Sequence, residues 1–179
     1  MLQKSSIEKI MGVFCRFPTR EHTLKDISTK AKIAHTSAKQ ILKKLATAGL
    51  IQKKIEHKGK RKFPLYEANK RSKVFIQYKK RDNIRSIMES GIIVYIEEKL
   101  MPACVVLFGS YQRGEDTEES DIDLFVESKQ KEISLKQFEK KLGKKIELHF
   151  KEHFTSYPRE LKNNIINGTI LQGFLEGYA

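Results

Sequence analysis

Apolar side chains recur at Ile7, Ile10, Met11, Phe14 and Phe17, the spacing of a single helical stripe, and Pro18 stops it. A first helix is therefore predicted over Ser5–Phe17. Thr23-Leu24-Lys25-Asp26 reads as a capping box with Asp in place of the usual Glu, opening a second helix whose inner face is Leu24, Ile27 and Ala31. A turn at Lys32–Ala34 leads to a third helix over His35–Ala48. Ala38, Ile41, Leu42 and Leu45 turn inward there, and Thr36, Ser37, Lys39, Gln40, Lys43, Lys44 and Thr47 outward. Gly49 stands where a left-handed C-terminal cap belongs. Leu50–Glu56 and Phe63–Ala68 then alternate with the period of two expected of a hairpin, joined by His57-Lys58-Gly59-Lys60-Arg61-Lys62.

Residues 70–101 read as helical. Val74, Phe75 and Tyr78 suit a short helix; Ile84, Ile87, Met88, Gly91, Ile92, Tyr95, Ile96 and Leu100 suit a longer one, ended by Pro102. Ile93 and Val94 widen its apolar face beyond one stripe, as for a helix covered by two partners, either the flanking domains or a second copy of the chain. Beyond it, Ala103–Phe108 and Ser120–Val126 are predicted strands, and Lys145–Phe150 a third. Ser134–Leu142 is the expected crossover helix, Pro158–Asn167 a further helix ended by Gly168, and Ile170, Leu171, Phe174 and Leu175 are expected to close the core. The fold class is α+β, in three parts: 1–69, a helical connector at 70–101, and 102–179.

Charge sharpens this division. The 179 residues carry a net +13, but residues 1–80 hold 21 Lys and Arg against 5 Asp and Glu, whereas residues 81–179 hold 14 against 17. The first part is built to meet a polyanion and the second is not. Helix, helix, helix and a hairpin with a basic tip is the order of a winged helix-turn-helix, and residues 5–69 resemble the winged-helix domains of prokaryotic regulators, including Gly49-Leu50-Ile51 after the third helix. On double-stranded DNA, Thr36, Ser37 and Gln40 would face base edges in the major groove, with Lys39, Lys43 and Lys44 nearer phosphates. The wing cations Lys58, Lys60, Arg61 and Lys62 would lie along the backbone. A protein-docking winged helix is the rival reading.

The longest apolar runs, such as Ile92–Ile96, fall far short of the roughly 20 residues of a membrane span. The N-terminus lacks the apolar centre of a signal peptide, so a cytoplasmic, non-membrane protein is expected. Cys15 and Cys104 read as buried free thiols, and no histidine or cysteine spacing suggests zinc.

The chemistry lies in residues 103–127. Asp121 and Asp123, two apart on a predicted strand, share a face roughly 7 Å apart along the chain, opposite Ile122, Leu124 and Val126. Adjacent like charges repel, and divalent cations remove that cost; Mg2+ favours such oxygen ligands and keeps positions for substrate phosphates. The preceding strand runs into Gly109-Ser110-Tyr111-Gln112-Arg113-Gly114. Gly109 permits close approach of an anion, a helix start offers free amides, Ser110 adds a hydroxyl and Arg113 a planar fork for phosphate.

Gly109-Ser110 followed by Asp121-Ile122-Asp123 resembles the signature of the DNA polymerase β-like nucleotidyltransferases, and in particular the minimal nucleotidyltransferase (MNT) group, over residues 103–174. The resemblance implies a small mixed sheet with flanking helices, with Gly109, Ser110 and Arg113 on the triphosphate. It implies two Mg2+ or Mn2+ ions on Asp121 and Asp123, and a third carboxylate on a neighbouring strand that helps activate the attacking hydroxyl. Glu147 fits that place, with Ile146, Leu148 and Phe150 on the buried face; it stands where the family more often has Asp, one methylene shorter, which alters the metal geometry. His149 shares its face and is assigned to structure rather than catalysis.

The resulting expectation is metal-dependent transfer of a nucleoside monophosphate from a nucleoside triphosphate, ATP first among them, to a protein. By the MNT resemblance the acceptor is a HEPN-type toxin ribonuclease, with the winged helix regulating its own operon. The alternatives are a regulator whose MNT domain only binds nucleotide, and a transferase acting on nucleic-acid ends. A homodimer is compatible with each.

Overall fold

The computed structural model describes residues 4–58, 61–151 and 157–176, with Lys58 and Arg61 described by backbone alone. The chain divides into two units at Lys79 and Lys80, a boundary inside one helix, α4 (Lys73–Ser90).

In the first unit, α1 (Ser6–Arg16) opens on a capping box: the Ser5 hydroxyl accepts from the Glu8 amide and the Glu8 carboxylate accepts from the Ser5 amide. After β1 (His22–Thr23), α2 (Leu24–Ala31) opens on the Thr23–Asp26 box read from sequence, with a 2.7 Å bond from the Thr23 hydroxyl to the Asp26 carboxylate. These bonds hold the Asp26 carboxyl below its ordinary pKa. The third helix, α3 (His35–Thr47), ends at left-handed Gly49 (φ +70°), and the Leu50 amide returns to the Leu45 carbonyl at 3.0 Å. β2 (Ile51–Lys58) and β3 (Arg61–Ala68) follow, and the sheet has order β1-β3-β2, antiparallel throughout. Ile10, Met11, Phe14, Ile27, Leu42, Ile51 and Phe75 form the core.

Two features differ from expectation. The hairpin ladder runs on through His57↔Lys62 and Lys58↔Arg61, into the segment read as a loop. Glu56, His57 and Lys62 are exposed, so the apolar alternation that marks a strand stops before the backbone pairing does. β1 is too short to show any period, yet it adds a third strand.

The second unit contains the rest of α4, then α5 (Ile92–Leu100), β4 (Cys104–Phe108), α6 (Gly109–Arg113), β5 (Ile122–Glu127), α7 (Lys136–Leu142), β6 (Ile146–Lys151), α8 (Arg159–Ile166) and β7 (Thr169–Gly173). Its sheet has order β6-β5-β4-β7; β5 and β6 are parallel, joined through α7, and the other pairs are antiparallel. Ile92, Ile96, Leu107, Ile122, Leu124, Val126 and Phe138 pack one side, and Cys104, Val106, Phe108, Phe125 and Ile165 the other. The architecture is α+β: N-terminal helices, then a mixed sheet flanked by helices.

α4 is unbroken where the sequence suggested two helices, and the break falls instead at Gly91 (φ +86°). The polar stretch around Asn83 lies inside α4. Asn83 is buried, and its amide donates to the Tyr111 carbonyl at 2.8 Å and to Asp116 at 2.7 Å. Ile170 and Phe174 are exposed rather than closing the core: Ile170 lies on an edge strand and Phe174 just past its end, after left-handed Gly173, while Leu171 packs against one apolar cluster and Leu175 against the other. Both cysteines are buried thiols outside any disulfide, and burial lifts the Cys104 thiol to about 11. No described helix is long and apolar enough to cross a membrane.

Candidate active site

β4 delivers the chain to a turn at Gly109, where φ is +76°, and α6 begins at once with Ser110 half-buried in its first turn. The short helix is fastened at Gln112, whose amide donates to the Thr169 hydroxyl at 3.1 Å, and closed by left-handed Gly114. Asp123 is the second residue of β5. It lies opposite Phe108 in the antiparallel ladder and beside Glu147 in the parallel one. Two pairs further along, Phe125 lies beside His149.

That register assembles the site. His149 Nε2 is 3.3 Å from Asp123 Oδ1 and 3.9 Å from Glu147 Oε2, and one ligand atom from each of the three residues lies within 4.8 Å of the others. The imidazole meets Phe108 edge to face, with centroids 5.1 Å apart. Two carboxylates and an imidazole at this separation are a donor set that fits a divalent cation. Asp121, half-buried, precedes the first residue of β5 and is not part of that set.

Gly109 has a role the sequence reading did not give it. A β-carbon there would sit 2.3 Å from Asp123 Oδ2 and 3.2 Å from its carboxyl carbon. The space a side chain would fill is occupied by the Asp123 carboxylate, so the glycine sets where that carboxylate stands.

Arg113 is exposed and donates from Nε to Glu115 at 2.7 Å. Beyond it, the acidic loop to β5 is anchored by a buried pair: Lys144 Nζ lies 3.3 Å from Asp116 Oδ2, and the ammonium also donates to the Thr117 and Ser120 carbonyls. Lys144 and Asp116 carry no catalytic pattern in sequence. Burial of opposite charges is what marks them, and sequence does not display it.

On α3, Thr36, Ser37, Lys39, Gln40, Lys43 and Lys44 are exposed and Ala38, Leu42 and Leu45 buried; Lys62 on β3 is exposed. Lys60 lies outside the described residues, and the side chains of Lys58 and Arg61 are not described.

Residues 89–171, which contain the whole cluster, match the family model of the nucleotidyltransferase domain, and the chain carries a nucleotidyltransferase-like domain in its C-terminal part. No curated protein matches the chain. Among solved structures, a possible transcriptional regulator from Methanosarcina mazei is similar over 54% of this chain and 79% of its own, at 17% identity and a TM-score of 0.37.

Proposed function

We propose that the C-terminal unit transfers a nucleoside monophosphate from a nucleoside triphosphate, ATP the expected donor, to a protein hydroxyl, and that the N-terminal unit, a winged helix-turn-helix by its element order, binds double-stranded DNA. The observation that carries the catalytic part is the gathering of Asp123, Glu147 and His149 beside the Gly109-Ser110 turn, inside the segment matched by the nucleotidyltransferase model.

In this reading Asp121, Asp123 and Glu147 hold divalent metal, Mg2+ or Mn2+, two ions in the full site. When bound, such ions neutralise phosphate charge and favour the ionised form of an attacking hydroxyl. The chain's own groups do the rest. The amides of the first turn of α6 and the Ser110 hydroxyl donate to the triphosphate, and Arg113 exchanges Glu115 for a phosphate oxygen. Glu147, exposed on its strand, accepts the proton of the acceptor hydroxyl. A bond forms from the acceptor oxygen to the α-phosphorus, the bond to the β-phosphate oxygen breaks, and pyrophosphate leaves. The resemblance to the MNT group supports a HEPN-type toxin as the acceptor, with DNA binding serving autoregulation. The position of Asp121 outside the three-residue set favours a second reading, in which the site binds nucleotide without turnover and tunes DNA binding.

Incubation with α-labelled or γ-labelled ATP, metal and candidate acceptors (the protein itself, a HEPN-type protein, RNA) tests both. Label transferred from the α but not the γ position, and lost in Asp121→Ala/Asp123→Ala, is the expected result. Metal-dependent ATP binding without transfer would select the second reading, and no ATP binding would exclude both.

A further inference from the structure

Resting on the reading of this site as a metal centre, we propose that His149 is itself a metal ligand through Nε2, and that the site thereby selects a divalent transition ion such as Mn2+ or Zn2+ over Mg2+. The rival is that His149 merely hydrogen-bonds Asp123. The two groups are within hydrogen-bond reach, but the geometry favours a shared ion over that bond alone. A separation of 3.3 Å is long for a bond to a carboxylate, which typically closes to about 2.7–2.9 Å when charge-assisted. A second carboxylate oxygen, from Glu147 on the same strand as the histidine, waits 3.9 Å from the same nitrogen. One imidazole N–H serves one acceptor well, whereas one ion can collect all three ligands. With metal–ligand bonds of about 2.1 Å, donors on one ion lie from roughly 3.0 Å apart when adjacent to roughly 4.2 Å when opposite. The separations of His149 Nε2 from both carboxylates fall inside that range.

The supports of the three ligands differ in a useful way. Asp123 is fixed by the packing of Gly109 beneath it, and the His149 ring is set against Phe108. Glu147 is the longer and more exposed side chain, with freedom to close onto an ion between the other two. Mg2+ takes oxygen ligands in near-ideal octahedral array and gives up water reluctantly, so an imidazole nitrogen is a poor ligand for it. Mn2+ and Zn2+ accept nitrogen readily, and first-row ions later in the series do so with rising affinity.

Mn2+ is the probe, because it reports its ligands. The full chain is titrated with Mn2+ by electron paramagnetic resonance, and the bound ion is examined for spin-echo modulation from 14N. The expected result is imidazole nitrogen modulation in the wild type, absent from His149→Ala and His149→Gln. With it goes a fall in Mn2+ affinity of about tenfold or more in both variants and little change in Mg2+ affinity measured by competition. Bound Mn2+ without nitrogen modulation in the wild type overturns the inference and leaves the proposed function standing on an all-oxygen site. Failure of the wild type to bind Mn2+, or binding unchanged in Asp123→Ala, overturns both. The wild-type spectrum alone decides between ligand and hydrogen-bond partner, so the outcome does not depend on the variants folding well.

Discussion

Replacing Gly109 with alanine puts a methyl group where the Asp123 carboxylate now stands, 2.3 Å from its Oδ2. Two costs follow and they are separable. The backbone at φ +76° is a left-handed conformation, and a β-carbon there costs about 1–2 kcal/mol. At roughly 2–4 °C per kcal/mol for a chain of this size, melting falls by roughly 2–8 °C. The second cost is positional: the carboxylate must move by about an ångström to reach ordinary contact distance, which shifts it from its present place beside His149 and Glu147. Moving one ligand through its supporting residue typically weakens metal binding about 10–100-fold. Gly49→Ala is the control. Its φ is +70°, but a β-carbon there meets nothing within 4 Å, so it carries the backbone cost without the collision. Calorimetric titration with Mn2+, paired with thermal melts, separates the two. Gly109→Ala is expected to lose metal affinity and Gly49→Ala to lose only stability. If Gly109→Ala melts lower yet binds Mn2+ like the wild type, Asp123 is not a metal ligand and the site has been misread.

Further predictions concern other parts of the chain. Lys144→Met removes the cation beside Asp116, a carboxylate whose side chain is 1% exposed, and is expected to destabilise by roughly 3–5 kcal/mol; adding Asp116→Asn should recover much of that, and a single-variant loss under about 1 kcal/mol in urea unfolding would show the pair to be dispensable. His22 is buried, and burial, reinforced by Lys30, holds its pKa below the ordinary 6.5 against an opposing hydrogen bond with Phe17. The unfolded chain therefore binds this proton first: the contribution is fully present above about pH 6.5 and is lost as pH falls toward the folded value, with a slope of at most about 1.4 kcal/mol per pH unit. Urea unfolding at successive pH values should show this slope in the wild type and its loss in His22→Gln. Lys43→Ala/Lys44→Ala, both exposed on α3, should weaken binding to duplex DNA on any sequence and make the log–log salt dependence shallower by about 2; an unchanged slope would remove these lysines from the interface.

Much of the first unit is legible in its sequence because its elements are amphipathic and locally capped. The Thr23–Asp26 box and Gly49 after α3 are local signals that depend on neighbours within a few residues, and both stand where expected. Ala38, Leu42 and Leu45 face inward for the same reason: a helix with one wet face shows its period. Legibility fails where structure depends on partners distant in sequence. Nothing near Asn83 announces that its polarity is spent on Tyr111 and Asp116, 28 and 33 residues away, so a buried stretch of helix reads as a break. β7 presents too few alternating positions to separate an edge strand from a core-closing tail.

The site divides along the same line. Asp123 and Glu147 are recognisable as strand carboxylates, but their meeting rests on the register of β5 against β6, and register is a property of two strands. A slip of one residue would face Asp123 with Ile146 or Leu148 and send the Glu147 side chain to the other face of the sheet. What holds the register is the apolar set on that other face, where Ile122 pairs with Ile146 and Leu124 with Leu148. The apolar residues of β5 and β6 thus specify the polar site by occupying the alternate positions, and the same alternation that brings Glu147 beside Asp123 carries His149 to the same face, two residues on. A lone histidine on a strand has no pattern, so the sequence alone places His149 with the structural residues. Its chemistry becomes visible only when the parallel neighbour of its strand is known, and then it stands nearer to Asp123 than Glu147 stands to it.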